Sequence, residues 1–342
     1  MENSFLKRQR IFLVLFILVL ALGMLVAGDY NNQVNAANKK VTVRMDWLFV
    51  AYHSPYFVAK EKGYYAAKNL DVEIKSGLGS KKTSMAVISG DSDFGLIDAN
   101  VMTRYVSDGA DIKMVSGVFQ KTPQSIVFLT DSGIKEPKDL EGKTIGIDPG
   151  GTGSMLLPFF IKLNNLDPSK IKQVNMAAGA LSPALLAKKV DAVVHFGYYQ
   201  IAIYKQKGFA ASHFSYGDYG VALIANGLVT RNKLLKEQPQ MVKDFLAATI
   251  AGYQFAIKNP REAIEIMKKY QPDEVTSVDL FAELLIQSLN LSWTPLTKNK
   301  PFGQMAEKDW SDTVNLMVEL GMLKKKIETD RLFTNSYLPE VK

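Results

Sequence analysis

From Val41 onward the chain alternates short β-branched, apolar runs with segments of helical spacing, and that alternation leaves few folds open. VTVRMDW, LDVEI, DFGLI and IKMVSGVF carry strand signals, while SPYFVAKEKGYYAAKN, SKKTSMAVISG and ANVMTRYVSDG between them space their apolar residues helically. Strand, helix, strand in this order predicts a mostly parallel sheet flanked by helices, because parallel neighbours need a long crossover connection.

The pattern restarts after residue 120. SIVFLT, KTIGID, IKQVNM and VDAVVHF read as strands, with TGSMLLPFFIKLNNL, LSPALLAKK and YYQIAIYKQKG as the helices between them, and VALIANGLVTR leads back as one more strand. Beyond it the texture changes. Residues 232–258, 260–270, 273–289 and 304–320 are all helical, with Pro239, Pro260 and Pro272 at or near helix starts, where a fixed φ is tolerated. Helices without strands must pack on something already built, so this tail is expected to cover the first unit and part of a cleft. The expected fold is α/β: two lobes, each a mostly parallel sheet flanked by helices, plus the helical C-terminal tail. Lobe I takes residues 37–120 and 221–342; lobe II takes 121–220.

A chain of 342 residues with 47% hydrophobic content can bury two cores of this size. It has no cysteine, which excludes disulfides, thiolate metal sites and cysteine nucleophiles. Its three histidines, His53, His195 and His213, show no HExxH spacing, so no metal site is expected. Lys7, Arg8 and Arg10, the apolar run 11–27 and the small residues Val34 and Ala36 before Ala37 read as a secretory signal over 1–36. An uncleaved anchor stays open, since a run of about 17 apolar residues is at the short limit for spanning a bilayer. The expected location is periplasmic, with anchoring through 11–27 as the alternative to cleavage. The first 36 residues carry a net +1, which leaves +6 of the total +7 scattered over the rest, without the aromatic-interleaved basic pattern of a nucleic-acid surface.

In open parallel sheets, ligands bind outside the carboxyl ends of the strands, where loops converge with the free amides of helix N-termini. After the first strand stand Asp46, Trp47, Tyr52 and His53; after the second, Gly79 and Ser80; after the third, Asp98 and Ala99; after the fourth, Gln120. In the second unit the candidates are Gly151, Thr152 and Gly153 of DPGGTGSML, then Tyr198 and Tyr199 after VDAVVHF. Trp47 also reads as a core plug and His53 as a capping residue, but both units end strands in aromatics, which favours cleft lining. The glycines of DPGGTGSML let backbone approach a ligand, and Thr152 and Ser154 bring hydroxyls to a helix start; a tight turn with an ordinary Thr cap is the alternative. Neither a Walker loop nor GxGxxG is met, and no GxSxG elbow or carboxylate pair stands out. Binding without chemistry is the simpler account, with no catalytic residue and no cofactor.

Several of these stretches together resemble a known family. HSPYFVAKEKGYYAAKNLDVEI, GDSDFGLIDA, GIKEPKDLEGKTIGIDPGGTGS, VDAVVHFGYYQ and FTNSYLP are similar to segments of the periplasmic solute-binding proteins of ABC importers, in the group that takes up nitrate, sulfonates, taurine and thiamine-pyrimidine precursors. The resemblance implies a type II periplasmic-binding-protein fold, a monomer whose two lobes clamp a small molecule, and delivery to an inner-membrane permease and its ATPase. The lobes would close about residues 117–125 and 218–226, where the chain crosses. Asp46-Trp47 followed by a histidine is most like the branch binding pyrimidine or other heteroaromatic precursors. That branch commonly shows Asn-His-Thr-Gly where this chain has Ala51-Tyr52-His53-Ser54-Pro55. On this reading Trp47, Tyr52 and Tyr198 or Tyr199 stack on the ring, His53, Ser80, Asp98 and Gln120 fix its polar edge, and the Gly151-Thr152-Gly153 amides hold any anionic group. A sulfonate, taurine or nitrate ligand is the alternative, and it would call for cations at the strand ends, where only Lys81, Lys82 and Lys121 lie. An enzyme of the same fold builds the thiamine pyrimidine in fungi with a cysteine-rich iron-binding motif; a chain without cysteine is poorly suited to that.

Overall fold

A computed structural model describes residues 38–340. The stretch read as a secretory signal or anchor therefore lies outside the described residues. Among the described residues ten strands form two sheets: β1 Lys39–Arg44, β2 Leu70–Lys75, β3 Phe94–Asp98, β4 Ile112–Gly117, β5 Gln124–Leu129, β6 Thr144–Ile147, β7 Lys172–Asn175, β8 Ala192–Phe196, β9 Ala211–Ser215 and β10 Asn226–Arg231. The helices are α1 Ser54–Glu61, α2 Ser80–Ser89, α3 Ala99–Ser107, α4 Thr152–Leu163, α5 Leu181–Leu186, α6 Gly197–Gln206, α7 Asn232–Glu237, α8 Pro239–Lys258, α9 Pro260–Tyr270, α10 Val278–Leu289 and α11 Glu307–Glu319.

The lobe I sheet runs β2-β1-β3-β10-β4 and the lobe II sheet runs β7-β6-β8-β5-β9. Both are mixed. β1 pairs parallel with β3, and β6 with β7 and β8, as helical crossovers require, whereas β10 is antiparallel to β3 and β4, and β5 to β8 and β9. The reversed strands are the two that begin where the chain crosses between sheets. Antiparallel entry needs no helix in the connection, so the crossings through 118–123 and 216–225 can be short. They are also tied together: the Val118 and Phe119 amides donate to the Asn226 carbonyl at 2.8 and 2.7 Å, and the Ala225 amide donates to the Phe119 carbonyl at 3.1 Å.

The edge strand β9, sequence ASHFS, was not among the expected strands; its alternation is short and mostly polar. The helix expected over 232–258 breaks into α7 and α8 at Gln238, whose ψ is 49°. A residue preceding proline is pushed out of the α region, and Pro239 follows it. α10 starts at Val278 rather than 273 because the Ser277 side chain caps it, accepting from the Leu280 amide.

The C-terminal helices α8 and α9 pack on α1. α8 lies on α1 so closely that a Cβ at Gly252 would stand 2.2 Å from the Pro55 carbonyl oxygen, and α9 braces α1 and α10. α10 also reaches α6 of lobe II. Trp310 of α11 is fully buried and stacks on Phe333 at 5.3 Å. Among the described residues no helix is long and apolar enough to cross a membrane.

Candidate functional site

The strand ends of both sheets converge on one narrow crevice. Lobe I contributes Asp46, Trp47, Val50, Tyr52, Gly79, Ser80 and Asn226; lobe II contributes Gln124, Asp148, Gly151, Thr152, Gly153, Ser154, Leu181, Val194, His195, Phe196 and Tyr199. The free space between them is about 60 Å³. Its lips touch at backbone level: a Cβ at Gly79, whose φ is +95°, would lie 2.5 Å from the Gly150 carbonyl oxygen.

Asp46 organises the lobe I wall. Its backbone carbonyl accepts from the Gly79 amide at 2.9 Å, fixing the loop after β2 against the end of β1. The buried carboxylate accepts from Tyr52 Oη at 3.1 Å, from His53 Nε2 at 2.9 Å and from Asn226 Nδ2. His53 Nδ1 accepts from the Val50 amide at 3.2 Å, so the ring proton sits on Nε2 and is donated to Asp46. Burial first, and the Asp46 charge second, push the Tyr52 hydroxyl well above its ordinary pKa, leaving it a donor. A carboxylate with three fixed donors is held in one orientation at the crevice wall.

On the lobe II wall, Asp148 follows β6. Its Oδ1 accepts from the Gly150 amide at 3.3 Å, while Oδ2 is buried without a partner. Burial raises its pKa, opposed by that amide and by Lys82. The first turn of α4 supplies Thr152, 5% exposed, and Gln124 at the start of β5 is 7% exposed; neither side chain makes a hydrogen bond among the described residues. Burial lowers the His195 pKa to about 4, so the ring is neutral near pH 7. Rings meet across the cleft: Trp47 packs edge-on to His195 at 6.0 Å, and Tyr52 lies 5.9 Å from Phe196.

Nine of the residues expected from the sequence line this crevice: Asp46, Trp47, Tyr52, Gly79, Ser80, Gly151, Thr152, Gly153 and Tyr199. Five do not. His53 is fully buried behind Asp46 and orients it. Asp98 caps α3, its Oδ1 accepting from the Asn100 and Val101 amides, and burial raises its pKa to about 7. Ala99 is buried, its amide bonded to the Ala225 carbonyl. Gln120 turns away to donate to the Ser292 and Gln304 carbonyls at 2.7 and 3.0 Å, anchoring the tail. Tyr198 is hydrogen-bonded to Ser288 of α10 at 2.8 Å.

Asn226 and Gln124 escaped the sequence reading for a physical reason. Each begins an antiparallel strand, so its amino end lies where the parallel neighbours have their carboxyl ends, as the pairings Asn226 with Asp98 and Gln124 with Phe196 show. His195 and Phe196 close VDAVVHF, and Asp148 closes KTIGID; the strand-end rule reaches all three when the last strand residues are counted with the loop.

The crevice thus combines rings from both lobes, two carboxylates and several neutral hydrogen-bonding groups, with no lysine or arginine among its lining residues. No cluster of three potential metal-ligating side chains occurs among the described residues.

A family model described as "NMT1/THI5 like" matches residues 50–263. Similar curated proteins include the riboflavin-binding protein RibY of Chloroflexus aurantiacus, 23% identical over 88% of this chain and 86% of that one. The formylaminopyrimidine-binding protein of Halalkalibacterium halodurans is 23% identical, over 87% and 91%. A 4-amino-5-hydroxymethyl-2-methylpyrimidine phosphate synthase of Legionella pneumophila is 21% identical, over 90% and 94%. Among solved structures, the alkanesulfonate-binding protein SsuA of Xanthomonas axonopodis pv. citri, bound to MOPS, superposes with a TM-score of 0.66 at 14% identity, covering 89% of this chain and 99% of that one. The type II periplasmic-binding-protein fold is therefore shared.

Proposed function

The chain belongs to the NMT1/THI5-like family, and from that premise we propose that it is the extracytoplasmic substrate-binding protein of an ABC importer. It captures a small heteroaromatic ligand, of the thiamine-pyrimidine-precursor kind, between its lobes and delivers it to a permease and its ATPase. The observation that carries this reading is the lining: Trp47, Tyr52, His195, Phe196 and Tyr199 surround Asp46 and Asp148 without a cation.

Rings on both sides suit a flat guest, each pair contributing on the order of 1 kcal/mol beyond burial. An aminopyrimidine brings N–H donors for the unpartnered Asp148 Oδ2 and ring acceptors for the Gln124 amide and Thr152 hydroxyl. A nitrate or sulfonate would instead meet two carboxylates and depend on the first turn of α4 alone, an unfavourable balance at short range. The crevice, about 60 Å³, is smaller than the roughly 150 Å³ cavity known to hold a benzene, so on this reading the guest enters when the lobes part. The paired crossings at 118–119 and 225–226 are the natural hinge.

Pyrimidine synthesis, the activity in the Legionella relative's name, is the competing reading. A chain without cysteine has no thiolate to hold iron for such a reaction. The test is a thermal-shift and calorimetric panel of aminopyrimidines, riboflavin, alkanesulfonates and nitrate on the mature protein. A ligand at 100 times its dissociation constant stabilises by about 2.7 kcal/mol. Aminopyrimidines are expected to raise the melting temperature and to be recovered unchanged; stabilisation by sulfonates or nitrate alone overturns the ligand class, and conversion of the ligand overturns the binding-protein role.

A further inference from the structure

Outside the crevice lies a second, wider groove of about 450 Å³, and the two share Gly151 and Ser154 as common wall. Gly79 of the crevice also approaches Gly150 of the groove at backbone level. The groove is lined from lobe I by Lys81, Arg104, Tyr105 and Asp108, and from lobe II by Asn175 and Ser154 among others. Its chemistry is the reverse of the crevice. Lys81 and Arg104 bring two cations against the single carboxylate of Asp108, and among the described residues neither cation has a carboxylate within 4.0 Å.

We propose that this groove is a second subsite that takes an anionic substituent, a phosphate or carboxylate, carried on the ring seated in the crevice. The inference rests on the ring-binding reading and extends it to the length and charge of the ligand. A ring with its amino edge toward Asp148 directs a substituent past Ser154, which borders both spaces. The anion then meets Lys81 and Arg104 of lobe I while the ring is held between the aromatic residues of both lobes. One molecule bridging both lobes stabilises the closed form through both ends. Exposed cations act on such a group mainly through a salt-screened Coulomb attraction, so the gain must shrink as ionic strength rises.

The experiment compares 4-amino-5-hydroxymethyl-2-methylpyrimidine with its phosphate ester by titration calorimetry, on the parent and on the Lys81→Ala/Arg104→Ala double variant. Both substitutions are on exposed side chains, and an unchanged melting temperature verifies the fold. The ester is expected to bind the parent about tenfold more tightly than the alcohol at low salt, with the advantage lost in the double variant and the alcohol unaffected. If alcohol and ester bind the parent equally, or the double variant weakens both alike, the subsite is refuted while the ring reading stands. If neither binds, both fall together.

Discussion

Trp47, just beyond β1, and His195, in β8, meet edge to face across the cleft, with ring centroids 6.0 Å apart and planes at 77°. Trp47 follows a strand of one sheet and His195 ends a strand of the other, so on the proposed hinge motion the contact is made only in the closed form. Trp47 is partly exposed and lines the crevice, which sets it apart from the buried core residues. Trp47→Ala should weaken aminopyrimidine binding about tenfold, the equivalent of one aromatic contact of about 1.4 kcal/mol. The melting temperature of the unliganded protein should change little. A collapsed fold with unaltered affinity in the survivors would return Trp47 to the role of a core plug.

Gly79 lies where the loop after β2 meets the loop after β6. Its φ of +95° disfavours any side chain, and a Cβ there would lie 2.5 Å from the Gly150 carbonyl oxygen. Gly79→Ala should therefore hold the lips apart, lowering ligand affinity and enlarging the radius of gyration of the ligand-saturated protein in small-angle scattering. Backbone strain alone should cost on the order of 1 kcal/mol. Wild-type affinity and compaction in the variant would place closure elsewhere.

The fold was legible because its strands are short apolar runs at regular intervals, and parallel pairing forces the helices between them. What the pattern does not carry is direction. VALIANGLVTR and SIVFLT look like their neighbours, yet β10 and β5 run against them, which brings Asn226 and Gln124 into the crevice from amino ends. Side-chain aim is equally silent: Tyr198 and Tyr199 are adjacent in sequence, but helical rotation sends one to Ser288 and the other to the crevice. Asp98 and Gln120 satisfy the strand-end rule by position and then turn to bonds within lobe I, because buried amides and carbonyls there need partners.

Asp98 gives a pH test. Burial raises its pKa in the folded chain to about 7, whereas in the unfolded chain it ionises near 3.9. Between these values the folded form holds the extra proton, so this group's contribution to stability falls as pH rises from about 4 to 7 and is level above. Asp98→Asn keeps a side-chain oxygen to cap α3 and removes the titration. Denaturant midpoints should show the variant gaining on the parent between pH 5 and pH 8. An equal difference at both pH values would mean that Asp98 is ionised throughout.

His53 is 0% exposed and reaches the crevice only through Asp46. Removing it should act in two ways. His53→Ala leaves Asp46 one donor short and opens space behind it, a loss of about 2–4 kcal/mol in stability. The freed carboxylate can also rotate from the crevice, so affinity should fall even where the protein is fully folded, as judged by circular dichroism at low temperature. His53→Gln, which restores an N–H donor of similar reach, should recover part of both losses. If affinity is untouched in the folded alanine variant, Tyr52 and Asn226 suffice to aim Asp46, and His53 serves stability alone.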